Sequence, residues 1–408
     1  MSFTSWDVFQ KNSRKSSCIS TPDMENNKFL RLAKKILWLF FAFFGMIQTA
    51  SGETILQTSR GGVTFQIKTI AKGLGVPWGM VFISPDQILF TERNGKIGIL
   101  SPASGKIIRI SGGPKVMRTG QGGLLDVAVP PDYTSGDWIY FTYSKEQKGK
   151  GVTALARARR KGNRLVALED LLVTRSASST GRHFGSRIAF DGAGHLFFSV
   201  GDRGVRPNAQ NLSTHAGSIL RLDLNGNVPE DNPFVHQTGA LPEIWSYGHR
   251  NPQGMFYDKN QQRLWSIEHG PRGGDEINLI LPGRNYGWPV ISYGKEYWGP
   301  FQVGEGTEKE GMEQPVKFYT PSIAPGSLIL YSGKAFPAWE GNLFAGALKL
   351  THLNRVVLDL TGRAVAEERL LEGLGERIRA IVESPEGWLY FSTDSGRILR
   401  LRSVDNNQ

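Results

Sequence analysis

Beyond residue 52 the chain alternates short apolar runs with turns rich in Pro, Asp and Gly, and one arrangement recurs. A turn precedes a short apolar strand, which ends in a polar or glycine turn. The copies run from Ser84-Pro85-Asp86 to Leu89-Phe90, from Pro131-Asp132 to Ile139-Tyr140, and from Asp191-Gly192 to Leu196-Phe197. Three more run from Asp258-Lys259 to Leu264-Trp265, from Phe336-Pro337 to Leu343-Phe344, and from Ser384-Pro385 to Leu389-Tyr390. Their apolar strands are spaced by 50, 57, 68, 79 and 46 residues. Periods of this size in an all-β chain predict propeller blades, each burying its faces against its neighbours. The expected fold is all-β, a six-bladed β-propeller of four-stranded antiparallel blades over residues 53–408. A tandem of β-sandwiches is the competing architecture. The uneven spacing predicts loop insertions on one rim, longest between the third and fifth copies. No long amphipathic helix is expected.

The first 52 residues follow a different pattern. Lys28, Arg31, Lys34 and Lys35 precede the apolar stretch Ile36 to Ile47, and Thr49-Ala50-Ser51-Gly52 supplies small residues. A basic region, a short apolar core and small residues are the marks of an export signal. The stretch is shorter than the roughly 20 residues that cross a bilayer. Residues 1–52 are therefore expected to be an N-terminal extension and signal peptide, with Met24 as an alternative start. A periplasmic or secreted protein follows, held at a membrane only if the signal stays uncleaved. The single cysteine, Cys18, lies in this segment. The rest of the chain can form neither a disulfide nor a thiolate site.

The formal charge is +11. Basic residues are not interleaved with aromatics in the manner of a nucleic-acid groove, so no nucleic-acid partner is expected. The charge changes the picture only in Trp245–Pro289, which holds Arg250-Asn251, the turn His269-Gly270-Pro271, the acidic pair Asp275-Glu276, and Tyr286. Such a run supplies cations for an acidic ligand and oxygens for a hard metal.

Other motifs sit in order around this run: Gly120-Gln121-Gly122-Gly123-Leu124-Leu125, Gly181-Arg182-His183-Phe184-Gly185-Ser186-Arg187, Val200-Gly201-Asp202-Arg203-Gly204, Gly346-Ala347-Leu348-Lys349 and Glu376-Arg377-Ile378-Arg379. Together they resemble the soluble pyrroloquinoline quinone (PQQ)-dependent sugar dehydrogenases, in particular their aldose branch, over about residues 65–402. The resemblance implies that Gln121, Arg250, Asn251, Tyr297, Lys349, Arg377 and Arg379 bind the quinone. It implies that His183 is the general base, oriented by Asp202, with Arg250 assisting at the quinone. It also implies a catalytic Ca²⁺ on the backbone carbonyls of Gly270 and Pro271, and a second Ca²⁺ on oxygens of Glu276 and Tyr286. The implied reaction oxidises an aldose mono- or oligosaccharide at C1 to a lactone by hydride transfer to PQQ. A soluble acceptor or a cytochrome then takes the electrons. The residues suit a planar tricarboxylate, because buried carboxylates need cations and arginine pairs with them through two parallel bonds.

The pattern departs from glucose-oxidising members at Arg182, where they carry an acidic residue, and at His269, where they carry glutamine. Ser322 falls where some members place threonine. Three other readings stay open: a different alcohol or aldehyde substrate such as sorbosone, a non-enzymatic ligand-binding propeller, and a quinone-free lactonase-type propeller. The cations of the matching motifs, Arg187 among them, weigh against the last two, although Arg187 also suits a purely structural role.

Overall fold

The structure is a computed structural model that describes residues 54–404. The export segment, with Cys18 and both candidate start residues, lies outside the described residues. Twenty-five strands form six antiparallel sheets. Blade 1 is Pro77–Ser84, Gln87–Glu92, Ile97–Leu100 and Ile107–Ile110; blade 2 is Leu124–Ala128, Trp138–Gln147, Lys150–Lys161 and Arg164–Val173. Blade 3 is Ile188–Phe190, His195–Val200, Ser218–Asp223 and Ile244–Tyr247; blade 4 is Pro252–Asp258, Arg263–Glu268, Asp275–Ile280 and Lys317–Tyr319. Blade 5 is Pro325–Leu330, Leu343–Ala347, Leu353–Leu358 and Ala364–Leu370.

Blade 6 takes three strands from the C-terminal end, Ile378–Glu383, Leu389–Thr393 and Ile398–Ser403. It is completed by Thr64–Ala71 and edged by Thr54–Thr58 from the other end of the described chain. Phe65 pairs with Ser403 and Ile67 with Leu401, so backbone hydrogen bonds close the ring. The first strands of successive blades contact one another all the way round, which excludes the tandem of sandwiches.

Each of the six sequence repeats is the first turn and second strand of one blade. These strands lie between two neighbouring blades, so both faces are buried and they read as continuous apolar runs. Strand His195–Val200 is buried from its second residue onward, whereas the outermost strand Arg164–Val173 is mostly exposed. The core is accordingly divided among the blade junctions. Leu89, Ile99, Leu124 and Phe141 join blades 1 and 2, while Tyr140, Phe198 and Leu220 join blades 2 and 3.

The ring has one hub. Arg187, just before the first strand of blade 3, is buried in the central channel. Its guanidinium donates to Asp126 Oδ1 at 2.8 Å and to the carbonyls of Gln253 at 2.7 Å, Gly326 at 2.6 Å, Arg379 at 3.2 Å and Trp78 at 3.3 Å. Those partners belong to blades 2, 4, 5, 6 and 1, so one side chain ties its own blade to all the others. Arg187 is therefore already fully engaged and belongs to the scaffold.

Topology fixes where chemistry can sit. The loop before a blade's first strand and the loop after its second lie on the same rim, because the two strands are antiparallel. The candidate residues Gln121, His183, Arg250, Asn251 and Arg377 precede first strands. Asp202, Gly270, Pro271 and Lys349 follow second strands. Insertions are not confined to this rim: residues 281–316 leave from the opposite one, yet carry Trp288 to Asp202.

Candidate active site

The loops on this rim interlock through glycines. Gly120 has φ +57°, and an added Cβ would stand 2.4 Å from the carbonyl oxygen of Gly181, so the loops opening blades 2 and 3 touch backbone to backbone. Gln121 follows this contact and accepts the His183 N–H on Oε1 at 2.8 Å. His183 itself has φ +53°, a left-handed conformation costly for a residue with a Cβ. Arg203 holds the loop in that shape. It is buried, lies 3.5 Å from the centroid of the Phe184 ring, and donates to the carbonyls of Arg182, Thr180, Gly151 and Ser176.

His183 Nδ1 lies 2.6 Å from Asp202 Oδ1. Oδ1 also accepts the Gly204 N–H at 2.7 Å, and Oδ2 accepts Trp288 Nε1–H at 2.8 Å. Burial works against ionisation of Asp202, but the hydrogen bond from His183, the Gly204 backbone donor and the nearby Arg250 charge outweigh it and lower the pKa. Burial lowers the pKa of His183 against the opposing pull of Asp202. The pair is therefore an ionised carboxylate beside a neutral imidazole. The carboxylate holds the proton on Nδ1 and leaves the lone pair of Nε2 available.

Beside this pair, Arg250 donates to the His269 carbonyl at 3.0 Å and approaches the Tyr297 hydroxyl at 3.4 Å. Its guanidinium has no carboxylate partner among the described residues. Burial, then the Arg250 charge, lowers His269 to about 3, so it is neutral. Its Nε2 lies 2.7 Å from the Pro325 carbonyl. The turn it opens is fixed by Asp275, whose carboxylate accepts the Gly270 N–H at 2.8 Å and the Ala324 N–H at 2.7 Å. Gly270 has no room for a side chain, since a Cβ would stand 2.0 Å from the Gly274 carbonyl oxygen.

A cavity of about 150 Å³ opens beside these groups, lined by Trp78, Arg93, Gln121, Leu125, Phe184, Asn251, His269, Leu348, Arg377, Arg379 and Asp394 among others. Arg377 and Arg379 do converge there, and both grip the same carboxylate. Arg379 binds Asp394 through two bonds of 3.0 Å, and Arg377 through one of 2.9 Å. One anion thus already offsets part of the charge expected for a ligand. Lys349 is exposed, one residue beyond the cavity-lining Leu348. Arg93 was not singled out by its sequence, TERNG, yet lines the cavity with no ion pair among the described residues.

Gly270, Glu276 and Tyr286 line a smaller void of about 10 Å³ with Glu268. Burial, then the neighbouring Glu268, raises Glu276 to about 8. Glu276 has no ion pair among the described residues; its recorded contact is Asn278 Nδ2 at 3.3 Å. The Tyr286 hydroxyl is occupied, donating to the Leu279 carbonyl at 2.6 Å and accepting from Leu281 N–H at 2.8 Å. Only its main-chain oxygen is available to face a cation. No group of three or more His, Cys, Asp or Glu side chains forms a metal cluster among the described residues.

Fold and site together define a propeller with an arginine-lined cavity beside a histidine–aspartate pair. The chain belongs to the Glucose / Sorbosone dehydrogenase family, which it matches over residues 74–400. It is 40% identical to the aldose sugar dehydrogenase YliI of Escherichia coli over 348 residues, covering 83% of this chain and 93% of that protein. It is 28% identical to quinoprotein glucose dehydrogenase B of Acinetobacter calcoaceticus, covering 81% and 86% of the two chains. The PQQ-bound structure of aldose sugar dehydrogenase from Streptomyces coelicolor superposes with a TM-score of 0.68 at 26% identity, covering 86% of this chain and 98% of that one. The protein is an oxidoreductase of the sugar dehydrogenase type.

Proposed function

We propose that residues 53–408 form a catalytic domain that oxidises aldoses at C1 to lactones, using PQQ and Ca²⁺. The observation that carries this reading is the His183–Asp202 pair set beside the unpaired guanidinium of Arg250 at the mouth of a cationic cavity. The residues fit the cofactor. Arg93, Lys349, Arg377 and Arg379 offer charge to carboxylates, Trp78 and Phe184 offer apolar surface, and Gln121, Asn251 and Tyr297 offer polar groups. PQQ, when bound, supplies the two-electron acceptor. Gly270 and Pro271 would hold one Ca²⁺ through their carbonyls, the oxygen chemistry this ion prefers. The side-chain oxygens of Glu276, which has no ion pair among the described residues, and the main-chain oxygen of Tyr286 suit a second.

The protein's own part is proton transfer and orientation. His183 Nε2 accepts the proton of the C1 hydroxyl, while Asp202 fixes the imidazole and stabilises its charged form. Arg250, held by the His269 carbonyl, presents a positive charge where negative charge develops. Export by residues 1–52 would place the enzyme in the periplasm or outside the cell, where a soluble acceptor or a cytochrome takes the electrons.

The test is dye reduction by the metal-free protein given PQQ and Ca²⁺, with a panel of aldoses, beside His183→Ala. The reading requires sugar-dependent reduction that needs both additions and is lost in the variant. PQQ binding without turnover of any aldose would move the substrate to another alcohol or aldehyde, such as sorbosone. Failure to bind PQQ would favour a ligand-binding propeller.

A further inference from the structure

Three aromatic side chains stand exposed on one hairpin beside the site: Tyr297 at 65%, Trp298 at 75% and Phe301 at 57%. The hairpin is not loose. Lys295 pairs across it with Gln302, and Glu296 N–H donates to the Phe301 carbonyl at 2.8 Å. At its base, Lys295 and Arg272 exchange backbone hydrogen bonds of 3.0 and 3.2 Å. Arg206 grips the Glu296 carboxylate through two bonds of 2.6 and 2.7 Å, and Arg272 donates to the Gly299 carbonyl at 2.5 Å. Gly299 lets the Phe301 ring lie close, since a Cβ there would stand 2.8 Å from that ring. The Trp298 and Phe301 rings lie 4.9 Å apart at 37°. Their neighbour Tyr297 reaches Arg250.

Large apolar rings held in water by a tethered backbone call for an occupant. A macromolecular interface of standard size needs about 800 Å² per partner, more than three side chains at a hairpin tip supply. A flat molecule with apolar C–H faces and hydroxyl edges fits better. Rings cover its faces, and the fixed polar groups of Arg206, Glu296 and Arg272 are at hand for its edges.

We propose that Trp298 and Phe301 form a subsite for the second sugar ring of an oligosaccharide whose reducing end lies at His183. This rests on the proposed aldose oxidation and deepens it. The oxidised ring sits at the cavity mouth, and the ring attached to it extends over the hairpin. The preferred substrates are thus reducing di- and trisaccharides, with the platform setting that preference.

Two measurements test this. The first uses the holoenzyme and compares kcat/KM for maltotriose and cellobiose with that for glucose. In Trp298→Ala and Phe301→Ala the oligosaccharide-to-glucose ratio should fall about three- to tenfold, the worth of one aromatic stacking contact. The second uses protein without PQQ and the methyl glycosides of maltose and cellobiose, which have no free reducing end to oxidise. A saturable change in tryptophan fluorescence, absent in Trp298→Ala, is expected. An unchanged ratio together with no saturable fluorescence change overturns the subsite. So does a rise in KM for the electron acceptor at constant sugar ratio, which would make the platform an acceptor dock. If the unmodified protein binds the glycosides but oxidises no sugar, the aldose reaction fails while the platform stands.

Discussion

Replacing Asp202 with asparagine tests the proton-transfer reading at nearly constant volume. Three donors converge on the carboxylate: His183 Nδ1–H and Gly204 N–H on Oδ1, and Trp288 Nε1–H on Oδ2. Asparagine has one acceptor oxygen for all three. With that oxygen towards His183 and Gly204, its NH₂ group meets the indole N–H donor to donor. Turned over, it satisfies Trp288, but its NH₂ group then faces Nδ1 and Gly204 N–H. The imidazole must move its proton to Nε2, where the base's lone pair is needed. The first arrangement keeps the tautomer but loses the charge that stabilises imidazolium; the second removes the base. The better of the two still costs about 1–3 kcal/mol for a buried unmatched donor. A positioned general base is worth roughly 10²–10⁴ in rate, so Asp202→Asn should lower kcat by that order. PQQ binding should change little, because Asp202 is not among the residues proposed to hold the cofactor. Stopped-flow reduction of the PQQ-loaded protein by an aldose, with ¹⁵N NMR of His183 to read the tautomer, measures both parts. A kcat within about threefold of the parent protein, in a variant that folds, would refute the base assignment.

Arg187→Met should lower unfolding free energy by about 3–5 kcal/mol in urea titrations, because it strands the buried Asp126 carboxylate and four carbonyls together. Arg93→Gln should leave the melting temperature nearly unchanged and weaken PQQ binding about tenfold or more in titrations, the loss of one charge-assisted contact. Burial lowers the His183 pKa, so the acid limb of kcat/KM should have its midpoint below the ordinary histidine value near pH 6.5, with activity lost as the pH falls through it. A midpoint on the alkaline side of that value would refute the sign. Gly270→Ala should abolish the calcium requirement together with activity, since its Cβ would displace the Gly274 backbone.

The fold was legible because its defining feature is local. A turn followed by a twice-buried strand repeats in every blade, and each copy carries its own apolar run. Closure of the ring was not legible. The Phe65–Ser403 pairing joins segments more than three hundred residues apart, and neither strand carries a mark of its partner. The candidate site motifs were legible as sets of residue types just before first strands and just after second strands. Asp394, Trp288 and Arg203 escaped notice because each acts through space from a different loop, in a stretch that reads as an ordinary turn.

The arginines show why residue type alone could not assign roles. Arg187, Arg250 and Arg379 stand within two residues of a blade's first strand, in motifs of equal promise. One is consumed by the scaffold, one is shared with Asp394, and one is free of carboxylates. Their partners separate them. At Arg187 the first strands converge, and their carbonyls need a donor. At Arg379 a loop from the same blade supplies a carboxylate. At Arg250 the acceptors are the His269 carbonyl, which leads into the turn of Gly270 and Pro271, and the Tyr297 hydroxyl. The charge left over is therefore positive and lies beside the His183–Asp202 pair.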